Sequence, residues 1–164
     1  MRVPIRKPGK YTFLKPDPHL TEEKFRELEN KLGRMLKARP PLIEEVKFHA
    51  LNGDFSENAA YQIAKGRLRG LNQRILELED HLKRAVIIRP KNSGWVEIGH
   101  LVTVLVRGKE KTYEILGSTE TNPDKGIISH SSPLGSALLG HKIGNRVKVR
   151  LADKEIEYEI IKIE

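Results

Sequence analysis

Leu68, Leu71, Ile75, Leu78 and Leu82 recur at steps of three and four residues, and Leu28, Leu32, Met35 and Leu36 show the same interval upstream. Apolar side chains at such steps fall on one side of an α-helix, so each stretch carries one apolar seam. Neither seam is stable in water alone. The second approaches coiled-coil spacing, so the two are expected to cover each other. Between them stands Asn52-Gly53, a pair that tolerates the left-handed conformation closing a helix. The expected result is an antiparallel coiled-coil hairpin. Its second arm would run from near Asp54 to about Arg84, roughly 45 Å at the usual helical rise. Thr21 reads as the cap of the first arm, with Lys24 where a capping box would carry Glu. Pro40-Pro41 should kink or break that arm, because proline lacks the N–H and clashes with the preceding turn.

The pattern changes at Arg89-Pro90-Lys91-Asn92-Ser93-Gly94, a cluster of helix breakers. Beyond it the apolar residues alternate. Strands are expected at 95–98, 101–106, 111–116, 126–129, 146–151 and 155–161. Turns fall at Arg107-Gly108-Lys109 and Ala152-Asp153-Lys154. Ser132 to Gly140 fits one short helix, with Pro133 at its first position and Gly140 as its stop. The fold class is α+β. Residues 1–19 read as a basic, flexible arm, 20–89 as the hairpin, and 90–164 as a compact α+β domain.

Charge is unevenly placed. Residues 1–90 carry 19 Lys/Arg against 12 Asp/Glu, whereas 91–164 carry 11 against 10, within a net charge of +8. The excess on the helical half suggests a polyanionic partner such as nucleic acid. With no cysteine, disulfides and cysteine-rich zinc sites are excluded. No apolar run reaches the roughly 18 residues of a spanning helix. The basic start has no apolar stretch behind it, so a cytoplasmic protein without membrane contact is expected. None of the six histidines stands at metal-ligand spacing from another, and no nucleophile elbow, Walker or dinucleotide motif occurs. The chain does not read as a complete enzyme.

Asp54 and Glu57 stand three residues apart in Gly53-Asp54-Phe55-Ser56-Glu57-Asn58-Ala59-Ala60-Tyr61, between the two helical arms. One reading is a capping box, in which Asp54 accepts from the Glu57 N–H. The other is a pair of hard oxygen ligands for Mg²⁺, too few to hold the ion alone and so completing a site on another protein. The surrounding rod is basic, with Lys37, Arg39, Lys47, Lys65, Arg67, Arg69 and Arg74.

This stretch resembles the tip signature G-D-x-x-E-N-A-x-Y of the bacterial GreA/GreB transcript cleavage factors. Ile128-Ser129-His130-Ser131-Ser132-Pro133-Leu134-Gly135-Ser136-Ala137-Leu138-Leu139-Gly140 resembles their C-terminal signature, and the closing Tyr158 to Glu164 is also similar. The resemblance spans about residues 20–164. It implies an FKBP-like C-terminal domain, bacterial RNA polymerase as partner, and a monomer whose hairpin enters the polymerase secondary channel. It also implies that Asp54 and Glu57 help hold the second catalytic Mg²⁺, so that the polymerase cuts the extruded 3′ end of backtracked nascent RNA. Lys65, Arg67, Arg69 and Arg74 would then cradle RNA phosphates. The loop Ser131, Ser132, Pro133 and Leu134 would dock at the channel rim. The segment after Ser56 is more similar to the GreB side. Gly66 and Gly70 weaken the second helix, and Asn145 stands where the family often has Asp. Two other functions remain open: a channel-blocking inhibitor without cleavage activity, and an independent prolyl isomerase.

Overall fold

The computed structural model describes residues 15–51, 58–91, 93–151 and 154–164. Strand β1 (His19–Leu20) leads into helix α1 (Glu22–Leu51), and helix α2 (Ala59–Arg84) returns to strand β2 (Val86–Ile87). A second sheet contains β3 (Leu101–Val106), β4 (Lys109–Leu116), β5 (Ile127–Ser129), β6 (Arg146–Leu151) and β7 (Lys154–Ile163), with helix α3 (Pro133–Leu138) between β5 and β6.

The α2 seam is as expected, extended by one residue. Ala64, Leu71 and Ile75 are buried, and Leu68, Leu78 and Leu82 are partly covered. Its steps of four and three are those of a two-stranded coiled coil. Against it α1 offers Leu28, Leu32 and Met35, all half-buried, whereas Leu36 is exposed and leaves the stripe. No residue of α1 is fully buried, so this helix is held along one side only.

The expected break at Pro40-Pro41 does not occur, because α1 runs unbroken through both prolines. Each proline deprives a carbonyl one turn earlier, at Leu36 and Lys37, of its helical partner. Residues 36–41 are all exposed, so water can hydrate those carbonyls. Half-buried Leu32 and Met35 before the prolines and Leu42, Ile43 and Val46 after them continue the covered side of the helix. Expected start and observed start also differ for α2, which begins at Ala59 and not near Asp54. Its 26 residues span about 39 Å.

Sheet order is β5-β4-β3-β7-β6, antiparallel except for the β4–β5 pair. Val102, Val104 and Val106 of β3 point to the same side and are buried with Ile115, Val147, Val149, Tyr158, Ile160 and Leu138 of α3. The β3–β4 turn pairs Val106 with Lys109 across Arg107 (φ 52°) and Gly108 (φ 74°), the left-handed pair that a two-residue hairpin requires. Helix α3 matches its expectation, capped by Ser132 and followed by Gly140 at φ 73°. Trp95–Ile98 does not form the expected strand. Val96 is nevertheless buried, and it exchanges backbone bonds with His141 (2.8 Å) and Gly140 (2.9 Å). The segment turns instead at Gly99, φ 101°, where a side chain would collide with Ile88.

The junction of hairpin and sheet domain is the least expected part. Residues 15–19, assigned to the arm, are tied down, and β1 pairs in parallel with β2. Thr21 caps α1 through its Oγ1, which accepts from the Lys24 N–H at 3.1 Å. The carboxylate missing at Lys24 comes from Glu120. It accepts the Thr21 N–H at 2.9 Å and the Thr21 hydroxyl at 2.6 Å. The capping box is thus closed by the other domain. Asp17 accepts from the Ser118 N–H at 2.8 Å, and the ring Nε2 of buried His81 on α2 lies 2.9 Å from the Asp17 carbonyl. Burial pushes the Asp17 carboxyl up. The N–H groups of Ser118 and His19 and the rings of His19 and His130 outweigh it and hold the group well below the usual carboxylate range.

Candidate functional site

The hairpin end is built around Asn58. Its Oδ1 accepts the Tyr61 N–H at 3.0 Å, the geometry of an N-cap. Its Nδ2 donates to the His49 carbonyl at 2.7 Å and so satisfies one of the free carbonyls in the last turn of α1. One side chain therefore ends one helix and starts the other. Residues 52–57, which carry Asp54 and Glu57, join Leu51 to Asn58 and lie outside the described residues. The capping of α2 that the sequence offered to Asp54 belongs to Asn58.

The four basic residues assigned to RNA are not on one stripe. At about 100° per residue, positions 65 and 69 share a side of α2, while 67 and 74 lie on the opposite side. Lys65 and Arg69 border one shallow depression with Leu68, Asn72, Gln73 and Leu76. The Lys65 ammonium also sits 5.5 Å from the Tyr61 ring centroid. Arg67 reaches across to α1 and pairs with Glu45 at 3.3 Å. Arg74 borders the cleft between the helices with Lys24, Lys31 and Met35, and its Nε donates to the Gly70 carbonyl. Lys65 and Arg69 thus share one side of α2 and form no ion pair among the described residues, while Arg67 fastens the hairpin.

In the 131–134 loop the residues divide similarly. Ser132 is structural: its hydroxyl donates to the Ser129 carbonyl at 2.7 Å and accepts the Gly135 N–H at 3.0 Å. Leu134 packs against the core. Ser131 and Pro133 are exposed, although Ser131 is also tied to Ser129, its N–H donating to the Ser129 Oγ at 3.1 Å and the two hydroxyls lying 2.7 Å apart. Gly135 approaches the Ser129 carbonyl so closely that a Cβ would not fit, which fixes the loop beneath them. Asn145, where Asp was expected, accepts the Lys142 N–H at 2.8 Å, a bond either side chain can make.

A basic hairpin closed at its end by one asparagine and clamped at its base to a small sheet domain invites comparison with known proteins. Residues 19–87 match the family described as "Transcription elongation factor, N-terminal". Residues 91–164 match "Transcription elongation factor, GreA/GreB, C-term". Together the two matches cover most of the chain, which belongs to the GreA/GreB family of transcription elongation factors. It is 41% identical over 131 residues to the transcription elongation factor GreA of Nautilia profundicola, covering 77% of this chain and 80% of that protein. It is 33% identical over 148 residues to GreA of Nitratiruptor sp., covering 88% and 91%. These relatives carry the GreA name, so the expectation that the chain stands nearer the GreB side is not supported. The crystal structure of GreA factor homolog 1 (Gfh1) of Thermus thermophilus is a looser likeness. It covers 90% of this chain and 99% of that one at 24% identity and a TM-score of 0.42.

Proposed function

We propose that this chain is a transcript cleavage factor of bacterial RNA polymerase. Its hairpin enters the secondary channel, and the polymerase cuts backtracked nascent RNA at its own active centre, so the chain assists a reaction and is not itself the enzyme. The observation that carries the reading is the double role of Asn58. With α2 capped and α1 closed by that residue, the two carboxylates of the connecting segment are not needed to start the helix. Asp54 and Glu57 are oxygen donors of the kind Mg²⁺ takes, and they are too few to saturate it, which suits a site shared with another protein. Bound there, the ion would neutralise charge and favour an activated water in phosphodiester hydrolysis. The chain's own part is to bring the two carboxylates on a stiff rod and to hold them at the channel's inner end. Lys65 and Arg69 meet the extruded RNA, and Ser131 and Pro133 rest on the rim. No described helix is long and apolar enough to cross a membrane.

The test is cleavage of defined backtracked complexes. Asp54→Asn and Glu57→Gln keep size and hydrogen bonding but remove charge. Each should nearly abolish stimulated cleavage while polymerase binding persists. A carboxylate used only as a cap would tolerate Asp54→Asn, because Asn caps about as well as Asp. Full cleavage by a polymerase-bound Asp54→Asn variant would overturn the proposal. Loss of cleavage with both acids intact, at saturating factor, would favour the inhibitor reading instead.

A further inference from the structure

Asp17, His19 and His130 meet at the junction, far from the hairpin end. Asp17 Oδ1 lies 3.0 Å from His19 Nδ1, and Asp17 Oδ2 lies 2.7 Å from His130 Nε2. The three potential ligand atoms fall within 4.8 Å of one another. The rings stand edge to face, with centroids 5.1 Å apart and planes at 71°. Both rings therefore aim a nitrogen at the same carboxylate from different directions.

We propose that these three residues form a binding site for a first-row divalent cation of the Zn²⁺ class. Two imidazoles and one carboxylate are the donor set that such ions prefer over Mg²⁺ or Ca²⁺. Zinc bonds of about 2.0–2.2 Å in tetrahedral array would place the ligand atoms about 3.3 Å apart, a spacing that the present separations of 3.0 and 2.7 Å to the two carboxylate oxygens, within a cluster 4.8 Å across, reach by small side-chain rotations. The carboxylate is also oriented from behind. The Ser118 N–H at 2.8 Å and the His19 N–H at 3.0 Å each hold one oxygen, as the outer partners of metal ligands do. Three protein ligands leave a position for water. The side chains are 8%, 35% and 23% exposed for Asp17, His19 and His130, so an ion can reach them.

Without metal, His19 Nδ1 and His130 Nε2 donate to Asp17. A cation needs lone pairs there, so each neutral ring must carry its proton on the other nitrogen, which exchange with water allows. The site would join the segment before α1 to the loop after β5, residues 113 apart. Its occupancy should stabilise the junction, since an ion that binds only the folded chain adds stability by mass action.

The experiment uses the full chain freed of metal by chelation. Zn²⁺ is titrated calorimetrically, and Co²⁺ is added as a spectroscopic probe. One ion per chain should bind, with a Co²⁺ visible spectrum of low coordination number and a rise in melting temperature. His19→Gln and His130→Gln should each weaken Zn²⁺ binding at least about tenfold, the low end of what loss of a mere supporting group costs a metal site. His141→Gln and Asp54→Asn should bind as the unaltered chain does. Ring resonances in NMR give an answer that needs no variant: Zn²⁺ should shift His19 and His130 and leave His49, His100 and His141 in place. The proposal is overturned by unchanged affinity in both histidine variants, by loss of binding in Asp54→Asn, or by ring shifts confined to other histidines. None of these readouts involves RNA cleavage, so they stand or fall apart from the proposed function.

Discussion

Asn58 illustrates how one side chain shapes a site that it does not enter. Its amide has a donor and an acceptor on opposite sides, and the hairpin end uses both. Asn58→Asp keeps the cap but cannot donate to His49, and Asn58→Ala loses both bonds. Chemical denaturation should show Asn58→Ala less stable by about 1 kcal/mol or more. Asn58→Asp should fall between it and the unaltered chain. If positioning of Asp54 and Glu57 depends on this closure, both changes should slow cleavage more than they weaken polymerase binding. At this scale Asp54 and Glu57 can be singled out as candidates because they lie in one contiguous motif, whereas the cap that the sequence offered to Asp54 falls to Asn58. The Asp17–His19–His130 cluster was not legible, because His130 lies 113 residues from Asp17 and joins the nearby Asp17 and His19 only when β1 docks beside the 118–130 segment. No local spacing records that contact.

Among the elements, α2 is stable in spite of its composition. Gly66 and Gly70 sit inside it, and a Cβ at either would meet nothing within 4 Å. Gly66→Ala and Gly70→Ala should therefore each stabilise the chain by about 1 kcal/mol, a gain visible in thermal melts. If the glycines serve no other purpose, cleavage should be unchanged. The opposite faces of α2 allow a second comparison. Lys65→Gln with Arg69→Gln should reduce cleavage of deeply backtracked complexes, with a loss that depends on salt, and should affect shallow ones less. Arg67→Gln with Arg74→Gln should spare that difference. Equal losses from the two pairs would show that the basic faces act only through general attraction to the polymerase. Helical seams and strand alternation were readable in the sequence because they follow local periods. Pro40-Pro41 misled because an exposed helix can hydrate the orphaned carbonyls. Trp95–Ile98 misled because alternation cannot reveal that Gly99 must turn under Ile88.

For the whole molecule the issue is how firmly hairpin and sheet domain are joined. Glu120 closes the α1 cap from the other domain, and Gly117 lies so close to the His19 carbonyl that a Cβ would not fit. Glu120→Ala leaves the Thr21 N–H without its acceptor and should cost about 1–3 kcal/mol. Gly117→Ala should push β1 off its seat. Hydrogen exchange is the appropriate probe. Protection should fall first at the start of α1 and in β1, while the β3–β7 core stays protected. Uniform loss would mean that the two parts unfold as one cooperative unit. The overall plan was legible from the switch in period near residue 90. The junction was not, since a two-residue strand has no periodicity and a cap completed from a distant segment has no motif.

Strand β1 ends at Leu20 and β2 begins at Val86, and their parallel pairing places departure and return points of the hairpin side by side. Everything between is an excursion that starts and finishes at one address. Its length can then vary without asking the sheet domain to change. One extra heptad in each helix would preserve the seam and move the acids outward by about 10 Å. Reach is therefore a dimension this architecture can tune on its own, like the shaft of a tool fitted to a standard handle. A factor lengthened in this way should fold normally and yet miss its working depth.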